Sequence, residues 1–207
     1  MTTKTELRGR GRPRQFDSDQ VLDRLVELFW EQGYEATSMS DIVATSGLNK
    51  SSIYNSFGSK QELFGQAVDR YLATRAAMLH EVLRDGTSGL DDLAAFLGFV
   101  QQEVTGPTGS RGCLAVNTTT ELGHCDAAMA SMSARYRDDL RTSLRAALDR
   151  AAAAGEIDGR RVGQYAESLL SFMLALSVIA RGGAERPELD RQFASIRDTI
   201  DTWRIDR

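Results

Sequence analysis

Helical periodicity with very little punctuation is the feature that most limits what this chain can fold into. Apolar residues recur at steps of three and four along almost the whole length, and there are only three Pro in 207 residues. No segment shows sustained alternation of apolar and polar residues between hairpin turn signals. The sequence therefore predicts an all-α protein, long enough for one large or two small domains with a packed core.

Capping residues and glycines mark the ends of the predicted helices. We predict helices near residues 18–32, 38–45, 50–56, 60–84, 90–104, 112–122, 126–154, 160–181 and 187–203. Thr37 is expected to cap the second helix and Asn49 the third. A capping box, Ser59-Lys60-Gln61-Glu62, opens the fourth, and the glycine-rich segment 106–112 is expected to be a loop.

Residues 37–57 are the most informative segment of the chain. Two short helices meet at Gly47, where the turn needs a positive φ that only glycine adopts at little cost. The residues expected to pack the two helices together are Ile42, Val43, Leu48 and Ile53. Those left free on the second helix are Lys50, Ser51, Ser52 and Asn55. Small polar side chains and one Lys at a helix start suit the major groove of DNA, because their donors reach base edges without steric bulk.

A basic segment precedes this pattern. Residues 1–16 carry five Lys or Arg and one Glu, a net charge of +4, so the rest of the chain sums to −8 within the total of −4. One basic arm on an acidic body is typical of a protein that contacts a polyanion at one end. Arg10-Gly11-Arg12-Pro13 is similar to the core of an AT-hook, in which Arg10 and Arg12 would enter a narrow minor groove. The alternative is a basic tail that attracts phosphates without specificity.

The segment from about residue 15 to residue 65 resembles the TetR family of repressors. The matching residues are Leu25-Val26-Glu27-Leu28-Phe29, Gly33-Tyr34, Thr37-Ser38, Asp41-Ile42, Gly47-Leu48, Ile53-Tyr54, Phe57, Ser59-Lys60 and Glu62-Leu63. The resemblance implies a flexible arm at 1–16, a DNA-binding domain at 17–62 with its helix-turn-helix at about 38–57, and a regulatory and dimerisation domain at 63–207. It further implies a bacterial homodimer that binds double-stranded operator DNA and responds to a small-molecule effector. The use of only two Cys predicts a cytoplasmic protein with reduced thiols. The resemblance alone favours a repressor over an activator.

The resemblance also implies roles for individual residues. The expected phosphate contacts are Thr37, Ser38, Tyr54 and Lys60, and the expected contacts to bases or backbone are Lys50, Ser51, Ser52 and Asn55. Amides at the helix starts, Ser38 and Lys50, can receive phosphates too. The alternative for Tyr54 and Thr37 is that they only pack and cap.

The last two predicted helices carry the residues expected at a subunit interface. Segment 169–180 is apolar on nearly every side, so a helix there must be buried all round. A four-helix bundle with two helices from each subunit, as in TetR-like dimers, would bury it. The expected contacts are Leu176, Ile179, Phe193, Ile196, Ile200 and Trp203. The alternative is that both helices belong to the core of one subunit.

A ligand cavity is expected in the same half of the chain. Its lining would be drawn from Phe96, Phe99, Cys113, Asn117, Thr120, Tyr136, Phe172 and Met173. Alternatively, Thr118, Thr119 and Thr120 face solvent and the aromatic residues form core. Cys113 follows Arg111 at a helix start, where the dipole and the guanidinium would favour a thiolate. By resemblance it would sense electrophiles or oxidants; the alternatives are a small buried apolar residue or a disulfide with Cys125, which nothing in the sequence supports.

The sequence argues against an enzyme. It contains two His, His80 and His124, and no catalytic triad, metal cluster or nucleotide-binding loop in its proper context, so neither a metal nor a cofactor is expected. Two Cys do not make a secreted disulfide framework, and the stretch 169–180 is too short to span a bilayer. An architectural DNA-binding protein without an effector remains an alternative, although the regulatory half is far longer than dimerisation requires.

The predicted helix from Lys60 to Arg84 would be the only extended rigid link between the two parts. A two-fold DNA site in successive major grooves requires recognition helices ~34–36 Å apart. A tilt of this helix near Leu79 and Val82 would move Lys50 out of that register. This is the expected route from effector to DNA.

Overall fold

The computed structural model describes residues 16–205, except for the side chains of residues 75–80. Ten α-helices follow one another in this range, and no strand is formed there. They are α1 (Ser18–Gln32), α2 (Met39–Ser46), α3 (Lys50–Phe57), α4 (Lys60–Tyr71), α5 (Ala77–Arg84), α6 (Gly89–Thr105), α7 (Leu114–Leu122), α8 (Ala127–Ala153), α9 (Val162–Arg181) and α10 (Arg186–Asp201). The prediction of an all-α fold is confirmed.

Most helix ends lie within two residues of the predicted ones, and two predictions were wrong. Ser38, not Thr37, caps α2, because its hydroxyl accepts the amide of Asp41. The helix expected to run unbroken from Lys60 to Arg84 contains a π-helical segment, Leu72–Ala76, between α4 and α5. The link between the two parts is therefore not one regular helix. Leu79 lies among the residues whose side chains are outside the described part.

The first four helices enclose a small core of their own. Leu25 and Phe29 of α1, Ile42 of α2 and Ile53 of α3 are each at most 1% exposed. Phe64 of α4 meets Phe29 edge-to-face, with 5.0 Å between ring centroids. This core sets the angle between α2 and α3, so the outer face of α3 is presented on a rigid support.

The second core is built around α8, which packs against α5, α6, α7 and α9. Helix α10 lays its apolar stripe on α6 and α9 of its own chain. The expected interface residues Leu176, Phe193, Ile196, Ile200 and Trp203 are all buried in this core, at 0–8% exposure. Their assignment to a contact between subunits was therefore wrong, because these side chains are already buried by contacts within their own chain. Of the six, Ile179 alone is half-exposed.

The opposite side of α9 is only partly covered by the rest of the chain within the described residues. Val178 is 51% exposed, Ala175 and Ser171 are exposed, and Phe172 and Ile179 are half-buried. Their spacing places all five on one face of the helix, about a third of its circumference. We call this set the open face of α9. Residues 159–181 are long enough to cross a membrane, and an 18-residue window within them has a mean hydropathy of 1.4, so the expectation from 169–180 alone underestimated this helix. The core helix of a soluble protein meets the same criterion, so this is weak evidence for a membrane span.

Candidate nucleic-acid interface and adjoining cavity

The helix-turn-helix has the geometry that its sequence predicts. Gly47 ends α2 with φ +71°, in the left-handed region, and a Cβ added there would meet no atom within 4 Å, so the need for glycine is purely conformational. Asn49 caps α3 by accepting the amide of Ser52 at 2.9 Å. Arg24 of α1 donates to the carbonyl of Ser46 at 3.0 Å. These contacts define how α3 leaves the turn.

The outer face of α3 is polar and accessible. Lys50, Ser51, Tyr54 and Asn55 are exposed, with Tyr54 at 45%, whereas Ser52 is half-buried. The ammonium of Lys50 lies 6.0 Å from the centroid of the Tyr54 ring, one turn along the helix. Lys60, at the start of α4, lies 4.3 Å from the Tyr34 ring centroid. The structure thus brings donors of α3 and α4 onto one side of the domain.

Two ionised capping boxes hold the starts of α2 and α4. Hydrogen bonds from the hydroxyl and amide of Ser38 lower the pKa of Asp41, and those from the amide and hydroxyl of Ser59 lower the pKa of Glu62. A lowered carboxyl pKa stabilises the fold above the ordinary carboxyl pKa, and this contribution is lost as the pH falls through the lowered value. Both caps are therefore intact at neutral pH.

Two of the expected phosphate contacts need revision. Thr37 is fully buried, and its hydroxyl donates to the carbonyl of Gly33 at 2.6 Å, so this side chain cannot reach DNA. The amide and hydroxyl of Ser38 donate to Asp41 at 2.8 and 2.6 Å, so a phosphate there would have to share them. Arg10 and Arg12 of the arm lie outside the described residues.

The C-terminal end of α1 is held by residues from the other half of the chain. Arg181 of α9 donates to the carbonyls of Trp30 and Glu31 at 3.2 and 3.0 Å. Glu121 of α7 accepts the next free amides, those of Tyr34 and Glu35, at 3.0 and 2.7 Å. A cation on the last carbonyls of a helix and an anion on the following amides are both electrostatically favourable.

Two further contacts complete this attachment, which we call the α1 junction. The indole of Trp30 donates to the carbonyl of Gly112 at 3.0 Å. The guanidinium of Arg111 lies 2.5 Å from a carboxylate oxygen of Glu27 and 2.6 Å from one of Glu31. The α1 junction therefore consists of the contacts of Arg111, Gly112, Glu121 and Arg181 with α1 and its C-terminal turn. It is a second link between the two parts, which the sequence did not indicate.

A cavity of about 230 Å³ lies directly behind the α1 junction. Of the expected lining residues, four are in place: Phe99, Cys113, Tyr136 and Met173. The other four were wrong: Phe96 and Phe172 pack elsewhere in the core, Asn117 donates to the Arg111 carbonyl, and Thr120 is exposed. Sequence reasoning placed the lining residue Leu176 at the subunit interface. It missed nine others: Trp30, Tyr71, Val100, Glu103, Val104, Thr108, Gly109, Gly112 and Ser177.

Two of the missed residues, Trp30 and Tyr71, come from elements that are distant in sequence from the rest of the wall. Trp30 belongs to α1 and Tyr71 to α4, so only the docking of α1 against loop 106–113 brings them to the cavity. Gly112 is the one missed residue whose type could have indicated a close approach between the loop and α9. It has φ +64°, and an added Cβ would lie 2.8 Å from the carbonyl of Ser177, so the loop can approach α9 only with glycine here.

Cys113 lies in the wall of this cavity between two tyrosines. The hydroxyl of Tyr71 donates to its sulfur at 3.5 Å, and the thiol donates to the hydroxyl of Tyr136, also at 3.5 Å. Burial, and then the neighbouring Cys113 and Tyr71, raise the pKa of Tyr136 well above its ordinary value. The expected activation by Arg111 was wrong in its geometry, because that guanidinium is paired with Glu27 and Glu31. Cys125 is exposed and outside the cavity.

Comparison with known protein families divides the chain in the same way. Residues 21–67 match the family model described as bacterial regulatory proteins of the tetR family. Residues 89–201 match the tetracyclin repressor-like C-terminal domain. The transcriptional repressor ComR of Escherichia coli is 33% identical over 192 residues, which cover 91% of this chain and 90% of ComR. The uncharacterised regulator YezE of Bacillus subtilis is 29% identical over 181 residues, covering 86% of this chain and 93% of YezE.

Solved structures agree with these matches. The TetR family regulator CifR, as a cysteine mutant complexed with 26-bp double-strand operator DNA, superposes with a TM-score of 0.79 at 28% identity, covering 93% of this chain and all of that one. A TetR transcriptional regulator from Chloroflexus aurantiacus gives a TM-score of 0.79 at 26% identity, covering 91% of this chain and 96% of that one. The fold, the helix-turn-helix and both family models agree, and the chain belongs to the TetR family of DNA-binding transcription regulators.

Proposed function

We propose that this chain represses transcription in the bacterial cytoplasm by binding a two-fold operator as a homodimer, and that a small molecule in the cavity releases it. The observation that carries this proposal is the position of Trp30. Its indole lines the cavity, while its backbone belongs to the end of α1, next to the helix-turn-helix. A molecule that enters the cavity therefore touches the DNA-binding domain itself.

The open face of α9 supports the homodimer. Val178, at 51% exposure, belongs to a face that carries four apolar residues out of five. An exposed apolar patch of this kind marks an interaction site, and a second copy of the same face satisfies it in a two-fold dimer. The neighbouring α10 would complete the bundle with its outer side rather than with its buried stripe.

The α1 junction supports the regulatory half of the proposal. The cavity wall contains Gly112, Cys113 and Ser177, and these adjoin Arg111 and Arg181, which hold α1. A ligand that displaces loop 109–113 would change the attachment of α1 and, through the shared core, the angle of α3. The route through α4 and the π-helical segment is also available, because Tyr71 lines the cavity immediately before that segment.

Selection of bound sequences from random DNA tests the DNA-binding half. We expect a two-fold site whose half-sites are about one helical turn apart. Asn55→Ala is expected to relax preference at particular base pairs by about 1–3 kcal/mol each, because Asn55 would reach base edges. Lys60→Ala should weaken binding to all sequences alike and reduce the salt slope by ~1, because Lys60 would contact a phosphate. If Lys60→Ala changed the preferred sequence, these two roles would be wrongly assigned.

A second candidate function is release by chemical modification of Cys113. The observation that favours it is the placement of the thiol in the cavity wall, hydrogen-bonded to two tyrosine hydroxyls. The structures of CifR, which is similar to this chain, are of cysteine mutants complexed with operator DNA. Addition of the thiolate to an electrophilic double bond would place a permanent group in the cavity, with the same effect as a bound ligand.

N-ethylmaleimide is expected to release the protein from its operator through Cys113. Cys113→Ser should abolish this response and leave operator affinity unchanged. Cys125→Ser is the matched control and should respond as the unmodified chain does, because Cys125 is exposed and outside the cavity. Fluorescence anisotropy of labelled operator measures both effects. Undiminished release from the Cys113→Ser protein would exclude this second function.

A further inference from the structure

We infer that the cavity binds an uncharged aromatic compound of one or two fused rings with a single polar group, and that Trp30 of α1 forms one of its walls. This inference rests on the proposed function only where it makes the compound an effector. Binding of the compound can be measured without DNA, so the ligand class and the proposed release from the operator can be contradicted separately.

The size of the cavity limits the ligand. An apolar cavity of about 150 Å³ accepts one benzene ring. The present cavity has about 230 Å³, roughly half as much again, which is enough for a second fused ring. Most of its wall is apolar or aromatic and includes Phe99, Val100 and Val104 of α6 and Trp30 of α1. Flat aromatic compounds bury the most area in a space of this shape.

The charges around the cavity argue against an anionic ligand. Among the lining residues that the structure describes, none is Lys, Arg or His. Arg111 lies behind the Trp30 ring, 5.4 Å from its centroid, but Glu27 and Glu31 already neutralise it. A carboxylate in the cavity would be buried without a partner, which is costly. Glu103 also lines the cavity, but it is exposed and already has an interaction partner, so an ammonium ligand is not specifically favoured.

Four polar side chains of the cavity, that of Cys113 included, lie together, and Glu103 and Thr108 line the cavity as well. Tyr71 and Tyr136 are each within 3.5 Å of the Cys113 sulfur, and the hydroxyl of Ser177 accepts the Cys113 amide at 2.7 Å. A ligand with one hydroxyl or carbonyl group can join this cluster while its rings contact the apolar wall. A further polar group placed against the apolar part of the wall would be left unpaired.

Four compounds with the same ring system test the preference for a polar group and the exclusion of charge separately. They are 1-naphthol, 1-methylnaphthalene, 1-naphthoate and 1-naphthylmethylamine. Equilibrium dialysis against the full-length protein without DNA measures each affinity. We expect 1-naphthol to bind about 2- to 10-fold more tightly than 1-methylnaphthalene, which is the net value of one hydrogen bond. Binding of 1-naphthoate should be at least about 100-fold weaker than that of 1-naphthol, because its charge would be unpaired. Binding of the ammonium compound should also be weaker than that of 1-naphthol. Failure of all four to bind, or a preference for either ion, would overturn the inference.

The location of the ligand is tested with 5-fluorotryptophan, because the chain has two Trp. Trp203 serves as the internal control, since it stacks on Tyr165 with 4.2 Å between ring centroids, outside the cavity. Trp203→Phe assigns the two fluorine resonances. We expect 1-naphthol to shift the Trp30 resonance and leave that of Trp203 in place. An unshifted Trp30 resonance at saturation would overturn the assignment of this wall.

A variant that fills the cavity provides an independent test. Val104 is half-buried and lines the cavity, so Val104→Phe should weaken 1-naphthol binding at least about tenfold. Val82→Phe, at an exposed position of α5, is the matched control and should bind normally. Far-ultraviolet circular dichroism checks that both variants are folded. If Val104→Phe is unfolded, Tyr136→Phe takes its place. Tyr136→Phe should reduce the preference for 1-naphthol over 1-methylnaphthalene. Unchanged binding by the folded cavity variant would contradict the inference. Binding that shifts Trp30 but leaves operator affinity unchanged would uphold the ligand class and contradict the proposed release.

Discussion

Val178→Glu is expected to convert the dimer to a folded monomer and to lower operator affinity at least about 100-fold. The loss is this large because two linked DNA-binding domains gain about 10²–10⁴ in avidity over one. Val178 is 51% exposed in the single chain, so Glu costs the monomer little, and Glu is also a good helix former. In the proposed dimer each Glu would be buried without a partner, which costs several kcal/mol. Sedimentation equilibrium and anisotropy of labelled operator measure the two effects.

Val82→Glu is the matched control for this change. It introduces the same residue at another exposed Val, 38% accessible and on α5, away from the open face of α9. This protein should remain dimeric and bind the operator normally. A Val178→Glu protein that stayed dimeric with full operator affinity would show that the subunits meet elsewhere.

Phe193→Ala is expected to reduce the free energy of unfolding by about 3–5 kcal/mol while the folded protein remains dimeric. Phe193 is fully buried, and it meets Phe172 edge-to-face at 5.7 Å within the same chain. The change would therefore create a cavity inside the subunit instead of opening the contact between subunits. Urea denaturation at matched protein concentration measures the loss, because the stability of a dimer depends on concentration. A Phe193→Ala protein that kept its stability but dissociated into monomers would show that α10 lies at the subunit interface.

The local elements of the fold could be predicted because each depends on a few neighbouring residues. Asn49 and Ser59 cap α3 and α4 as expected, and Gly47 ends α2 as expected. These signals act within about four residues of the chain, so no knowledge of packing is needed. The π-helical segment is the exception, since nothing in the residue types of 72–76 marks it.

The partners of the last two helices could not be predicted from periodicity. A stripe such as Phe193, Ile196 and Ile200 states that one face of a helix is buried, but the same stripe fits a neighbour in the same chain or in another. The structure places this stripe on α6 and α9 of its own chain. The open face of α9 is less apolar, with Ser171 and Ala175 among its members, and so did not stand out.

Only part of the cavity lining could be predicted, for a related reason. Phe99, Cys113, Tyr136 and Met173 lie in the regulatory half, where a cavity was expected. Trp30 and Tyr71 lie in the first four helices and are used twice, once in the core of that unit and once in the cavity wall. Their aromatic rings contact each other at 5.5 Å between centroids. Such double use depends on how the two parts dock, which no local pattern encodes.

The most direct test of the account is a pair of titrations of the tightest-binding naphthalene compound, one into free protein and one into protein saturated with operator. If the cavity and the DNA-binding surface are coupled through the α1 junction by about 1–3 kcal/mol, the compound weakens operator binding about 5- to 150-fold. Linkage then requires that the operator weaken binding of the compound by the same factor. The expected result is an equal loss of affinity of the protein for its operator and for the compound. Equal affinities of the compound for free and operator-bound protein would contradict it.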